Sequence, residues 1–147
     1  MLASVKNSTM LAALVMTVAV LSGCGSMMMN NNDGMKVGLS GAQEVPPVST
    51  SANGSSSIMV AADKSVSGGV TTMGLSGTAA HIHMAGPGKN GPVIVPLTKS
   101  GDNAWMVPAG AKLTDEQYAS YLAGNTYVNV HSVTYAGGEI RAQLKGK

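Results

Sequence analysis

Hydrophobic and polar residues alternate over short stretches of this chain, and Gly, Pro, Asn and Ser separate the stretches. Successive side chains of a β-strand point to opposite faces, so this pattern predicts strands with one buried face. The alternation is clearest in the last two stretches, which a pair of glycines joins as a predicted hairpin. The predicted strands are Lys36 to Leu39, Ser56 to Ala62, Gly69 to Leu75, Ala79 to Met84, Val93 to Leu97, Ala104 to Val107, Thr126 to Val133 and Glu139 to Leu144.

A single segment carries the signals of a helix instead. Thr114 is suited to the N-cap, Gln117 completes a capping box, and Leu113 is placed to pack against Tyr118 as a hydrophobic staple. Gly124 is expected to end the helix as the C′ residue. Short strands with one capped helix predict an all-β fold, an antiparallel β-sandwich in which the helix covers one end of the sheets.

The beginning of the chain differs from the rest. Residues 1–23 contain an apolar run that is too short for a membrane span and is typical of a secretory signal peptide. The run ends in Leu21-Ser22-Gly23-Cys24, which resembles a bacterial lipobox, so Cys24 is the predicted lipidation site. The alternative is an unprocessed signal anchor with an idle cysteine. Gly25 follows the cysteine in place of the Asp that tends to retain lipoproteins of enteric-type bacteria at the inner membrane, so this resemblance implies a lipid-anchored cell-envelope protein sorted to the outer membrane. Residues 24–35 are expected to form a flexible tether.

The remaining residues, 36–147, suit one domain of modest size. The chain has a net charge of +2, 11% charged residues and no basic cluster, so nucleic-acid binding has no electrostatic support. Aromatic residues make up 3% and Phe is missing, which predicts an aliphatic core. Cys24 is the single cysteine, so no disulfide is expected to support that core. The sequence patterns of hydrolases and phosphoryl-transfer enzymes are absent.

The three histidines all lie in predicted strands. His81 and His83 are two positions apart, so they project from the same face of their strand. If the strand of His131 lies beside that pair, three neutral imidazoles converge on one point, which suits copper first and zinc second. The alternative is that each histidine is an ordinary hydrogen-bonded residue of a half-buried strand. The metal hypothesis therefore depends on a contact between distant parts of the chain.

Several polar residues are candidates to support such a site. Asn129 shares a strand face with His131, and Glu139 and Arg141 project together from the last strand. Each of the three is a candidate to orient a ligating imidazole by a hydrogen bond. An exposed ion pair between Glu139 and Arg141 is an equally good interpretation. Glu44 precedes two prolines, on a stiff segment that either covers the site or closes the sandwich.

Four blocks combine glycines, prolines and the histidines in a particular order: Leu39-Ser40-Gly41-Ala42-Gln43-Glu44-Val45-Pro46-Pro47, His81-Ile82-His83 with Gly86-Pro87-Gly88-Lys89-Asn90-Gly91-Pro92-Val93, Leu122 to His131, and Gly137-Gly138-Glu139-Ile140-Arg141-Ala142-Gln143-Leu144. In content and order they resemble a CHRD domain, the module repeated in chordin. The resemblance spans nearly all of residues 36–147. Position 142 departs from it, with Ala where the family often has Gly. The resemblance does not imply the partners of the animal proteins, because a shared fold does not carry function with it.

A looser resemblance is to copper-zinc superoxide dismutases, β-sandwiches with a His-x-His pair on one strand and another copper-ligating histidine late in the chain. His81, His83 and His131 would correspond to these ligands. Together the two resemblances imply an immunoglobulin-like or superoxide-dismutase-like sandwich. The dismutases use a further copper histidine and additional zinc ligands, and this chain has no histidine left. We therefore do not expect full dismutase activity.

Two functions from different classes fit the sequence. The first is a cell-envelope lipoprotein that binds copper through the three histidines, either to sequester the metal or to deliver it. The second is a β-sandwich that needs no metal and binds a protein or a polymer. A redox enzyme is a lesser third alternative. The sequence points to no particular protein partner, and the lipid anchor is the one contact with a membrane that we expect.

Overall fold

The computed structural model describes residues 36–146, so the predicted signal peptide, Cys24 and the tether lie outside the described residues. This part of the chain forms eleven β-strands, one α-helix and a short 3-10 turn at Gly41–Gln43. The helix, α1, is Asp115–Leu122. The strands are β1 Val37–Ser40, β2 Asn53–Ser56, β3 Met59–Val60, β4 Val66–Ser67, β5 Gly69–Met73, β6 Gly77–Met84, β7 Val93–Pro96, β8 Thr98–Gly101, β9 Ala104–Met106, β10 Thr126–Ser132 and β11 Ile140–Leu144.

Nine strands form one antiparallel sheet in the order β7-β6-β10-β11-β1-β2-β5-β9-β8, and β3 pairs with β4. The outermost strands, β7 and β8, follow each other in the chain with only Leu97 between them. The Leu97 amide donates to the Ala80 carbonyl of β6 at 2.9 Å, and Nζ of Lys99 on β8 donates to the Gly77 carbonyl at 3.2 Å. The sheet therefore bends until its two ends nearly meet, which confirms the predicted all-β, sandwich-like fold with one short helix.

The hydrophobic core lies between the facing walls of this sheet. Val128 of β10 and Ile140 of β11 are 0% exposed, and Leu144 is 3% exposed. Trp105 is the largest fully buried side chain. Its indole lies against Gly77, where a Cβ atom would overlap the ring, so only glycine allows this close approach of β6 and β9. The core is thus mostly aliphatic, as predicted, with one indole at its centre.

The helix begins and ends as the sequence predicts. Oγ1 of Thr114 accepts a hydrogen bond from the Gln117 amide at 3.2 Å, and Oε1 of Gln117 accepts one from the Thr114 amide at 2.9 Å. Gly124 follows the helix with a φ of 73°, a conformation that glycine adopts readily. Tyr121 is the buried residue of α1 and joins the core cluster. Among residues 36–146, no helix is long and apolar enough to cross a membrane.

Most predicted strands are present with small shifts at their ends, but the strand predicted from Ser56 to Ala62 is wrong. β2 ends at Ser56, and β3 contains only Met59–Val60. Between them, Oγ of Ser56 accepts a hydrogen bond from the Ile58 amide at 3.2 Å, a local contact that competes with strand pairing. Of the remaining strands, β2 is not predicted except for its last residue, and β4 and β8 are not predicted at all. β4 has two residues and β8 is exposed along its whole length, so neither shows a clear hydrophobic pattern.

Candidate metal site

The three histidines lie on the outer face of two neighbouring strands. β6 pairs with β10 so that His81 lies opposite Asn129 and His83 lies opposite Tyr127. His131 is two positions beyond Asn129, on the same face of β10. Ile82 points to the other face and is buried in the core. The prediction that the strand of His131 lies beside the His-x-His pair is therefore confirmed.

The ligating atoms of the three side chains are close together. Nδ1 of His81 is 3.0 Å from Nε2 of His131. One nitrogen from each histidine can be chosen so that all three lie within 4.8 Å of one another. Two nitrogens that bind one ion at about 2.0 Å are about 3 to 4 Å apart. His81 and His131 already have that spacing, and His83 has to move only slightly to join them.

Two backbone carbonyls fix the orientation of two imidazoles. Nδ1 of His83 is 2.9 Å from the carbonyl oxygen of Gly91, and Nδ1 of His131 is 2.9 Å from that of Ala136. A carbonyl oxygen can only accept, so each Nδ1 carries the proton and each Nε2 keeps its lone pair. When Nδ1 of His81 carries the proton, it donates to Nε2 of His131. In the other tautomer His81 carries its proton on Nε2, and its Nδ1 is free to bind an ion. Carbonyl contacts of this kind are typical of metal-ligating histidines.

Burial favours the neutral form of these imidazoles. His83 is 8% exposed, and His81 and His131 are half-buried. Burial lowers the pKa of His81 below its usual 6.5, and the neighbouring His131 and His83 lower this pKa further. Burial also lowers the pKa of His83, although the hydrogen bond to the Gly91 carbonyl partly offsets the shift. Only neutral imidazole binds a metal, so His81 and His83 are in the ligating state at neutral pH.

A stack of planar groups supports His83 from the side. The Tyr127 ring is parallel to the imidazole within 4°, with the two centroids 4.7 Å apart. Cζ of Arg141 lies 3.4 Å from the Tyr127 centroid, and Nη1 of the same guanidinium donates to Oδ1 of Asn90 at 3.2 Å. Arg141 therefore connects β11 to the loop whose Gly91 carbonyl orients His83.

The three residues predicted to support the site, Asn129, Glu139 and Arg141, differ in how they contact the histidines and their neighbours. Arg141 lies on the Tyr127 ring that stacks against His83, and its charge adds to burial in lowering the pKa of His83. Asn129 lies between His81 and Arg141 in the paired strands. Oε1 of Glu139 accepts a hydrogen bond from Oγ1 of Thr50 at 2.7 Å. Arg141 and Glu139 are 1% and 6% exposed, so the alternative of an exposed ion pair between them is wrong.

Glu44 is the group near the site whose burial the sequence did not predict. It is 5% exposed, and burial raises the pKa of its carboxyl to about 6 against the opposing effects of Arg141, the Val45 amide and Asn129. A Cβ atom on Gly138 would lie 2.5 Å from Oε1 of Glu44 and 2.6 Å from Nδ2 of Asn129, so both atoms lie against this glycine. An acidic residue in a segment stiffened by two prolines was the available signal.

A family model of the CHRD domain matches residues 35–144, about three quarters of the chain. The matched range contains the whole nine-stranded sheet, all three histidines and the buried Glu44. No curated protein and no solved structure matches the chain.

Proposed function

The chain belongs to the CHRD domain family, and from this premise we propose that the domain binds one copper ion through His81, His83 and His131. The protein would hold this metal at the cell envelope, either to sequester it or to deliver it. Family membership does not identify a function by itself, because one fold carries many unrelated sites. The proposal therefore depends on the histidine cluster.

One observation carries the proposal. Three imidazole nitrogens lie within 4.8 Å of one another, and separate carbonyls hold the opposite nitrogens of His83 and His131. Histidines that serve only as hydrogen-bonded strand residues need no shared orientation. In addition, Nε2 of His83 is buried and has no hydrogen-bond partner, a condition that is rare in native proteins. A cation bound by the three nitrogens would satisfy this atom.

The donor set and its exposure support copper and an exchangeable site. Imidazole ligands bind Cu²⁺ more strongly than Zn²⁺, which makes zinc the second choice. His81 and His131 are half-buried, so one side of the cluster faces solvent. A site that is open to solvent on one side can exchange its ion, unlike a closed structural site. Such an opening suits a protein that releases its metal to another molecule.

The proposed location depends on residues outside the described part of the chain. Cys24 in its lipobox-like sequence would carry the lipid, and residues 24–35 would hold the domain away from the outer membrane. Lipidation is expected to be necessary for anchoring, since a polar tether has no membrane affinity of its own. The variant Cys24→Ser should therefore leave the membrane fraction, and a variant that stays wholly in that fraction contradicts the lipoprotein proposal.

Calorimetric titration with Cu²⁺ and with Zn²⁺ tests metal binding. We expect one ion per chain, with higher affinity for Cu²⁺. Replacing any one of the histidines by Ala should weaken binding by more than the roughly 10- to 100-fold typical of changes outside the ligands. Val133→Ala is the matched control, because this residue follows β10 and is 84% exposed. Its affinity should equal that of the wild type.

The same titration distinguishes the alternatives. Unchanged affinity in all three histidine variants would exclude the three-histidine site and favour an interaction module that needs no metal. Tighter binding of Zn²⁺ than of Cu²⁺ would support the three-histidine site but identify its metal as zinc. Loss of affinity in Val133→Ala as well would indicate a general effect on the fold instead of a specific effect on ligands.

A further inference from the structure

Buried polar atoms without hydrogen-bond partners gather beside the histidines. In residues 36–146, the buried side-chain atoms of this kind are Oε1 of Glu44, Nε2 of His83, Oγ1 of Thr126 and Oδ1 of Asn129. Three of them belong together, since Asn129 lies diagonally from His83 across the strand pair and both Asn129 and Glu44 lie against Gly138, whereas Thr126 is on the opposite face of β10. Native proteins seldom leave such atoms unpaired, so several in one place indicate a ligand that they share.

The surroundings of Asn129 determine which way its amide points. Nδ2 donates to the Gly137 carbonyl at 3.5 Å and lies beside Oε1 of Glu44, and both of these neighbours are acceptors. Burial raises the pKa of Glu44 and Asn129 opposes this shift, as a donor does beside a carboxylate. Nδ2 therefore lies on the side of Gly137 and Glu44, and Oδ1, the other end of the amide, is buried without a partner.

This arrangement leaves two unpaired acceptors on the same face of neighbouring strands. Nδ1 of His83 donates to the Gly91 carbonyl, so in the neutral imidazole Nε2 offers only a lone pair. Oδ1 of Asn129 offers only lone pairs as well. No donor of the described residues serves either atom. Two unpaired acceptors at neighbouring buried positions repel each other, and a cation bound by both turns the repulsion into attraction.

We infer that Asn129 supplies an oxygen to the metal site as its fourth protein group, and that Glu44 is the positioning residue that keeps this oxygen turned toward the ion. The inference rests on the proposed function, because it needs an ion at the three histidines. Arg141 compensates the charge of Glu44, so the carboxylate acts mainly through the orientation of the amide. Oxygen is a hard donor that suits divalent ions better than Cu⁺. The oxygen of Asn129 therefore increases the preference of the site for Cu²⁺ over Cu⁺.

Competition titrations of the purified protein with Cu²⁺ and with Cu⁺ test this inference. Asn129→Leu removes the oxygen at similar volume, and we expect about 10- to 100-fold weaker Cu²⁺ binding with a smaller effect on Cu⁺. Glu44→Gln should weaken Cu²⁺ binding in the same direction, because a Gln amide can present a donor that turns the Asn129 amide over. Asn129→Asp places a charged oxygen at the same position and should bind Cu²⁺ at least as tightly as the wild type.

Glu139→Gln is the matched control. Glu139 is another buried glutamate on the same sheet face, and its carboxylate bonds Thr50. We expect this variant to keep the wild-type affinity and the wild-type electron paramagnetic resonance spectrum, whereas the g values of Asn129→Leu should shift with the changed donor set. Circular dichroism of every variant establishes that the fold is kept.

The outcomes separate this inference from the proposed function. A wild-type protein that takes up no copper overturns both. A wild type that binds copper, together with Asn129→Leu and Glu44→Gln variants of unchanged affinity and spectrum, overturns only the role of these two residues. Equal losses for Cu²⁺ and Cu⁺ would contradict the oxygen ligand, since they would show a general disturbance of the three histidines.

Discussion

The two faces of strands β6, β10 and β11 have opposite properties. The inner face carries aliphatic side chains such as Ile82, Val128 and Ile140, each of them 2% exposed or less. The outer face of the same strands carries histidines, an asparagine and an arginine, many of which are just as buried. Burial alone therefore does not distinguish the two faces. The two faces differ in whether the buried atoms have favourable contacts with their neighbours.

On the inner face the buried side chains are mostly apolar, with Thr126 as an exception, and their removal from water contributes to folding. On the outer face, Nε2 of His83 and Oδ1 of Asn129 are buried without partners, which reduces stability. Proteins tolerate such local losses mainly at functional sites, where the same groups are needed for binding. We therefore assign the stability of the domain to the inner face and its function to the outer face.

Removing inner-face volume should produce the largest loss of stability. Ile140 is 0% exposed, and Ile140→Ala should lower the free energy of unfolding by about 2 to 5 kcal/mol. Urea unfolding of the metal-free protein measures this loss. The folded fraction should still bind Cu²⁺ with wild-type affinity. Strongly weakened binding by folded Ile140→Ala would contradict the separation of the two faces.

Metal should stabilise the protein through the outer face only. At a free Cu²⁺ concentration 100 times the dissociation constant, the free energy of unfolding should rise by about 2.7 kcal/mol. The same increase is expected in Ile140→Ala, since its histidines are intact. At that same Cu²⁺ concentration His131→Ala should show little increase. Equal stabilisation of His131→Ala and wild type would place the binding of copper elsewhere in the chain.

Arg141 should contribute less than the core, although it is 1% exposed. Arg141→Met keeps apolar contact with Tyr127 but leaves the buried Glu44 carboxylate without its compensating charge, and we expect a loss of about 1 to 3 kcal/mol. The double variant with Glu44→Gln should recover part of this loss, because it removes the carboxylate that Arg141 compensates. Purely additive effects in a double-mutant cycle would mean that Glu44 and Arg141 are not coupled.

Acid should reveal two opposing contributions from the outer face. The pKa values of His81 and His83 are lowered below 6.5, so their contribution to stability is present above pH 6.5 and is lost as the pH falls through their folded values. The pKa of Glu44 is raised from 4.5 to about 6, so its effect has the opposite sign and adds at most about 2 kcal/mol as the pH falls from 6 to 4.5.

Unfolding of metal-free wild type and Glu44→Gln between pH 7.5 and pH 4.5 measures this difference. Glu44→Gln should be the more stable of the two at pH 7.5, and it should lose stability more steeply on acidification. Parallel curves for the two proteins would show that Glu44 is ionised as easily in the folded protein as in the unfolded chain.

Local patterns predicted much of the fold because they depend on neighbouring residues. The alternation along residues 126–133 predicted which side chains lie on each face of β10, and Thr114 with Gln117 predicted the start of α1. The same reasoning failed between Ser56 and Ala62, where a serine hydroxyl bonds the nearby backbone and ends the strand. A run of apolar residues does not reveal such a contact.

The site was only partly predictable, because its parts are distant in the chain. Strand alternation placed His81 and His83 on one face, but the sequence does not encode visibly that β10 pairs with β6. Glu44 is 85 residues before Asn129 in the chain, and it is buried because its segment folds back beside Asn129. The structural role of Glu44 is therefore visible only in the structure. The lipid anchor at Cys24 lies outside the described residues and stays a prediction.

Electron paramagnetic resonance of the Cu²⁺-loaded protein tests the central claim most directly. The account predicts one type-2-like copper signal per chain, with coupling to three imidazole nitrogens in the wild type and to fewer in His83→Ala and His131→Ala. A wild-type spectrum of unbound Cu²⁺, or a bound spectrum that is identical in the wild type and both variants, would contradict the three-histidine site.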